Sequence, residues 1–163
     1  MSTTATSAPN KLIKLANSLR GHTAPRVRTA LIALNKDEYF TAPETWASSL
    51  FLEPIHLSLH VAEKCQTYGH VGLSPTQLLE YILNLLPNND NPDPMEPGVW
   101  IWGIDILLAK LSENERTIFW SKLHGMASYR PPIVVAIPSN LLSRFGPPEP
   151  ESTWGTQRFL SLT

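Results

Sequence analysis

The chain reads as α/β: a helical N-terminal part followed by a small parallel strand–helix–strand sheet unit. Three observations predict this. Residues 99–106 and 133–137 are continuous apolar runs, the pattern of strands buried on both faces. Between them, Ser112 and Glu115 form an S-x-x-E capping box that opens a helix, and Pro131-Pro132 prevents its continuation. Upstream, residues 10–86 carry mostly helix signals. A strand–helix–strand unit of this length is most often a parallel crossover.

Taken in order, residues 1–9 are rich in Ser, Thr and Ala and read as a disordered tail. Asn10 caps a predicted helix over 11–19, with Leu12, Leu15, Ala16 and Leu19 on one stripe. Pro25 opens a second predicted helix, 26–34, on Val27, Ala30, Leu31 and Leu34. The pair would form an αα-hairpin. A DNA-reading version would place Arg26 and Arg28 at the start of its second helix. Residues 37–41 read as a connection, and 43–52 as a short helix carrying Trp46.

Residues 54–68 carry two signals. Ile55, Leu57, Leu59 and Val61 alternate with His56, Ser58 and His60, as in a strand. Pro54 at the start and Gly69 at the end suit a helix. A brief strand at 55–57 and a helix capped by Ser58 reconcile them, and mostly helix is the expectation. Ser74 and Gln77 then start a helix over 75–86, with Leu78, Leu79, Ile82 and Leu86 as its stripe. Residues 87–98 hold four prolines and no apolar run, and read as a linker. The chain thus divides into a tail (1–9), a helical part (10–86), the linker (87–98) and an α/β part (99–163).

In that last part the run 99–106 contains Gly103, a sign of close backbone approach, and Asp105 near its end. The following helix carries Ile118, Phe119, Leu123 and Met126. Ser139 caps a short helix over 140–145 that Gly146 closes. Trp154, Phe159, Leu160 and Leu162 mark a final strand, expected beside 133–137.

Composition excludes several classes. No window is long and apolar enough to span a bilayer, and no apolar signal core follows Met1. A single cysteine, Cys65, excludes an internal disulfide framework and suits a reducing, cytoplasmic location. Net charge is −1 but uneven. Residues 1–36 hold six basic side chains (Lys11, Lys14, Arg20, Arg26, Arg28, Lys36) and no acid; the remainder balances at −7. Three readings fit: the basic head packs beside the acidic body, it contacts nucleic acid or another anion, or it is a transit peptide.

Motifs for chemistry are thin. His56 and His60 have the spacing of the two histidines in HExxH, but Leu57 stands where that motif requires Glu. No G-x-S-x-G elbow is present. Cys65 reads as an inert cysteine rather than a nucleophile. An apolar strand ending in an acid, as at Trp100–Asp105, is the form of a Walker B strand, whose acid helps hold Mg²⁺. Its partner, a G-x-x-x-x-G-K-[ST] loop, does not occur in the chain.

The segment 99–138 resembles half of a P-loop NTPase core. VWIWGIDILL is similar to a Walker B strand with Asp105 in the acidic place, LSENERTIFWSKL to the helix after it, and RPPIVVAIP to the next core strand. In this it is similar to inactive members of the STAND/NACHT-type modules of bacterial conflict systems. The resemblance implies a scaffold or sensor with a protein partner, no cofactor and no catalytic residue. The alternative is a small nucleic-acid-binding protein using Lys11, Lys14, Arg20, Arg26, Arg28 and Lys36. Asp105 is the candidate acidic site, and no metal ligands or membrane contact are expected.

Overall fold

A computed structural model describes residues 8–20, 28–68, 73–86, 96–125 and 131–162. The elements run α1 (Asn10–Ser18), β1 (Thr29–Leu34), α2 (Lys36–Thr45), β2 (Leu52–His56), α3 (Leu57–Tyr68), α4 (Pro75–Leu83), β3 (Gly98–Trp102), α5 (Asp105–Leu108), α6 (Glu113–Gly125), β4 (Ile133–Pro138), α7 (Leu142–Phe145), α8 (Pro150–Thr153) and β5 (Phe159–Leu162). Short 3-10 turns lie at Ser48–Leu50 and Ser139–Leu141. All strand pairings are parallel, in the order β2-β3-β4-β1-β5. The chain is α/β with a parallel sheet, and β3 and β4 are neighbours joined through α5 and α6.

The N-terminal half is less helical than its sequence pattern predicts. The expected helix over 26–34 is instead β1, and all six residues of Thr29–Leu34 are buried. Leu31 and Ala33 point into one core; Ala30, Ile32 and Leu34 point into the other. A strand covered on both faces needs apolar residues on both, so its run cannot be told from a helical stripe by spacing. The αα-hairpin, and the DNA-reading hairpin with it, are therefore not formed; Arg26 itself lies outside the described residues. β5 also differs from expectation. It pairs with β1, and β1 separates it from β4.

Period-2 alternation sorts the strands between two cores. Ile133, Val135 and Ile137 of β4, with Val99 and Ile101 of β3, face α3, α4 and α6 through Leu57, Val61, Leu78, Ile82, Phe119 and Leu123. Val134, Ala136 and Trp100 face α1 and α2 through Leu12, Leu15, Ala16, Tyr39 and Ala42. Two helix starts are as read, one of them a full capping box. The Ser74 hydroxyl accepts the Gln77 N–H, and Ser112 and Glu115 exchange both bonds, at 3.0 and 3.2 Å. Ser139 makes no such cap; it begins the 3-10 turn after β4. In the stripe of α6, Phe119, Trp120 and Leu123 are buried while Ile118 is exposed. Of the expected linker, Glu96 and Pro97 are described, Gly98 already opens β3, and residues 87–95 lie outside the described residues, as does the tail 1–7.

The segment 52–68 resolves into both of its signals. β2 ends at His56 and α3 starts at Leu57, one residue before the expected cap. The capping acceptor is the ring of His56: the Leu59 N–H donates to Nδ1 at 3.3 Å, with the Ser58 hydroxyl 3.2 Å away.

Candidate functional site

In parallel α/β sheets, ligands collect beyond the carboxyl ends of strands, where adjacent strands send their connections to opposite faces. That condition is met between β1 and β4. After β1, α2 joins the core that holds Ile32 and Trp100. After β4, Leu141, Leu142 and Phe145 pack on the other core. A crevice of about 250 Å³ opens at this end of the sheet. Its wall takes Lys36, Tyr39 and Phe40 from α2, His56 from β2, Trp102, Gly103, Asp105 and Ile106 from the end of β3 onward, and Pro138, Asn140 and Leu141 from the end of β4 onward.

Each wall group has a local cause. Asn35 is the single residue between β1 and α2, and its side chain accepts the Glu38 N–H. This N-cap, with Asp37 and Glu38 in the first turn, fixes where α2 begins. It sets the buried Tyr39 ring toward β3. The Tyr39 hydroxyl accepts the Gly103 N–H at 2.6 Å and donates to Asp105 Oδ1 at 3.2 Å. Burial, opposed by the Gly103 N–H bond and aided by the charge of Asp105, pushes the Tyr39 pKa above its ordinary value, so the hydroxyl keeps its proton.

Gly103 allows the chain to turn here. Its φ is +69°, and an added Cβ would lie 2.5 Å from His56 Nε2 and 2.6 Å from Nδ1. His56 in turn lies edge-on to Trp102, ring centroids 4.5 Å apart, and Tyr39 packs edge-on to Trp102 and Phe40. Because Nδ1 accepts the Leu59 N–H, a neutral ring carries its proton on Nε2. Beside the exposed Lys36, the rim carries two apolar side chains: Phe40 is 59% exposed and Ile106 54%.

This arrangement does not suit a triphosphate. A phosphate cradle needs free backbone N–H groups at a helix N-terminus and a positive field there. At α2, the Asn35 side chain takes one of those N–H groups, and Asp37 and Glu38 supply negative charge. Asp105 is placed in the first turn of α5, held by Tyr39.

Of the six basic residues in the N-terminal segment, the five described do not share one surface. Lys36 lines the crevice at the carboxyl end of β1, whereas Arg28 immediately precedes β1, about 20 Å of strand away. The Arg20 guanidinium donates to the carbonyls of Glu96 and Phe51 and lies over the Phe51 ring. Burial, reinforced by Arg28, holds its pKa below the ordinary arginine value. Lys11 and Lys14 are exposed on α1 and border a separate groove with Gln157 and Leu160. His56 and His60 also part: His60 lines a groove between α3 and α4 with Lys64, Gln77 and Glu80. Among the described residues no three His, Cys, Asp or Glu side chains converge. No described helix is long and apolar enough to cross a membrane.

Reading the sequence missed Tyr39, which fell in a presumed connection. The signal was there: Asn35 followed three residues later by Glu38 is a helix-start pattern, and it puts Tyr39 one turn in. No family model matches the chain, and neither a curated protein nor a solved structure matches it significantly.

Proposed function

We propose that this protein is a non-catalytic intracellular interaction or regulatory module, built like a P-loop NTPase core that has lost its phosphate loop. Such modules occur in bacterial conflict systems, and a scaffold or sensor role in antiphage defence is the corresponding reading. The observation that carries it is the junction Leu34-Asn35-Lys36. In a P-loop enzyme the phosphate loop lies between a strand and its following helix. Here one residue joins β1 to α2. The crevice it borders is filled from one side by the Tyr39–Gly103–Asp105 hydrogen bonds. Around it stand exposed apolar side chains, Phe40 and Ile106, which suit contact with another protein more than chemistry on a phosphate.

The test is capture of partners from native lysate at low and high salt, with nuclease-treated controls, beside a thermal-shift titration with Mg²⁺-ATP and Mg²⁺-GTP. A stoichiometric protein partner that survives nuclease and salt, with no nucleotide-induced shift, is the expected result. A Mg²⁺-dependent shift abolished by Asp105→Ala would overturn it in favour of a nucleotide binder. Recovery of nucleic acid alone, released by salt, would instead favour the reading based on the basic residues. That reading then rests on Lys11 and Lys14, which share the exposed side of α1.

A further inference from the structure

We propose that the crevice at the carboxyl end of the sheet receives the guanidinium group of an arginine presented by a partner protein. This rests on the interaction-module reading and names the group such a module recognises. The crevice combines a carboxylate with aromatic walls. Asp105 is half-buried; one oxygen accepts the Tyr39 hydroxyl at 3.2 Å, and among the described residues no cation pairs with it. A carboxylate has acceptor capacity for about four hydrogen bonds, of which Tyr39 takes one, and Asp105 lines the crevice.

Trp102 and Phe40 supply π surface next to that charge, and Tyr39 and His56 hold them by edge-on contacts at 4.5 to 6.1 Å. Guanidinium is the cation that uses both elements: it stacks on aromatic faces and bonds a carboxylate through a planar fork. The volume of about 250 Å³ is that of a side-chain-sized recess, too small for a domain contact on its own. Long-range charge contributes little, since the whole chain balances at −1. Lys36 is the opposing group. It is exposed at the mouth, where solvent screens it, and it weakens the recess for cations rather than forming it.

The test titrates the ¹⁵N-labelled full chain with N-acetyl-arginine N-methylamide, and separately with the norleucine and glutamate analogues. The arginine compound is expected to shift the Trp102 indole and Gly103 amide resonances saturably, in the millimolar range that one side chain supports. The norleucine and glutamate compounds are expected not to. Asp105→Asn keeps an acceptor for Tyr39 and should weaken arginine binding at least about fivefold. Phe40→Ala, at an exposed position, should weaken it about two- to threefold. Lys36→Gln should strengthen it about twofold.

An equal response to norleucine would overturn the proposal, since the recess would then select only for apolar bulk. A preference for glutamate would overturn it in favour of Lys36 as the recognising group. Arginine binding untouched by Asp105→Asn would overturn it as well. The two readings fail separately. A captured protein partner indifferent to Asp105→Asn leaves the module reading standing and removes this one. Selective arginine binding without any captured partner removes the module reading and leaves the recess selective for guanidinium, with no partner to present it.

Discussion

Replacing Gly103 with Ala tests the geometry on which the crevice depends. Two costs combine. At φ +69° an alanine adopts the left-handed region, worth about 1–2 kcal/mol. The new Cβ would also lie 2.5 Å from His56 Nε2, against a ring pinned by Trp102 and by its cap to Leu59, and such overpacking costs about 1–3 kcal/mol. Loss of unfolded-state freedom offsets about 0.4–1 kcal/mol. The net expectation is a destabilisation of about 2–4 kcal/mol, or roughly 5–15 °C in Tm for a chain of this size.

Gly155 provides the internal control. Its φ is +76°, but no heavy atom lies within 4 Å of an added Cβ, so Gly155→Ala should cost only the backbone part, about 1 kcal/mol. Equilibrium denaturation of both variants separates the two terms. Adding His56→Ala to Gly103→Ala removes the obstructing ring. The double mutant should recover about 1–3 kcal/mol relative to additivity, even though His56→Ala alone loses the α3 cap. If Gly103→Ala destabilises no more than Gly155→Ala, the packing of His56 over Gly103 is refuted, and with it the description of the crevice wall.

Tyr39→Phe leaves the buried Gly103 N–H without an acceptor and should cost about 1–3 kcal/mol in denaturant melts. The same residue sets a pH dependence. Its folded pKa is raised, so above the ordinary tyrosine value of about 10 the unfolded chain releases the proton and the folded one keeps it. Wild-type stability should therefore fall as pH rises past that value, and Tyr39→Phe should lack this component of the fall. Asn35→Ala removes the α2 cap and should destabilise by about 1 kcal/mol, while Asn35→Asp, which keeps the acceptor, should be close to neutral. Arg20→Ala should lower stability by losing its bonds to the Glu96 and Phe51 carbonyls, without altering any salt-dependent nucleic-acid binding; Lys11→Ala with Lys14→Ala is the pair that should alter such binding if it occurs.

Local chemistry was legible wherever a residue acts on its near neighbours. The caps at Ser74–Gln77 and Ser112–Glu115 are written within four residues, and both helices begin where those residues say. The apolar runs of β3 and β4 stand between turn signals that cut them to strand length, and their parallel pairing follows from the helix between them. Gly103 announced a close approach, though not to what. By contrast, Thr29–Leu34 carries a spacing that suits a helix and a buried strand alike. Only the sheet decides: β4 and β5 offer hydrogen bonds on its two edges, and helices from distant parts of the chain cover its two faces.

The crevice was beyond sequence reading for the same reason. Tyr39, His56 and the pair Gly103 and Asp105 come from three separate stretches of the chain, and no spacing rule relates the three. Nor could composition foresee that Lys36 would stand at one end of the sheet and Arg28 at the other, because a basic run reads as one patch until a strand separates its ends. The sequence by itself determined the α/β class, the starts of α4 and α6 and the lack of a phosphate loop, since each depends on a local pattern, on bonds within one turn or on residues that are simply not there. The tertiary structure alone decided the central place of β1 and the meeting of Tyr39 with Gly103 and Asp105, because these depend on which strands pair, and the Tyr39 bonds join residues more than sixty positions apart.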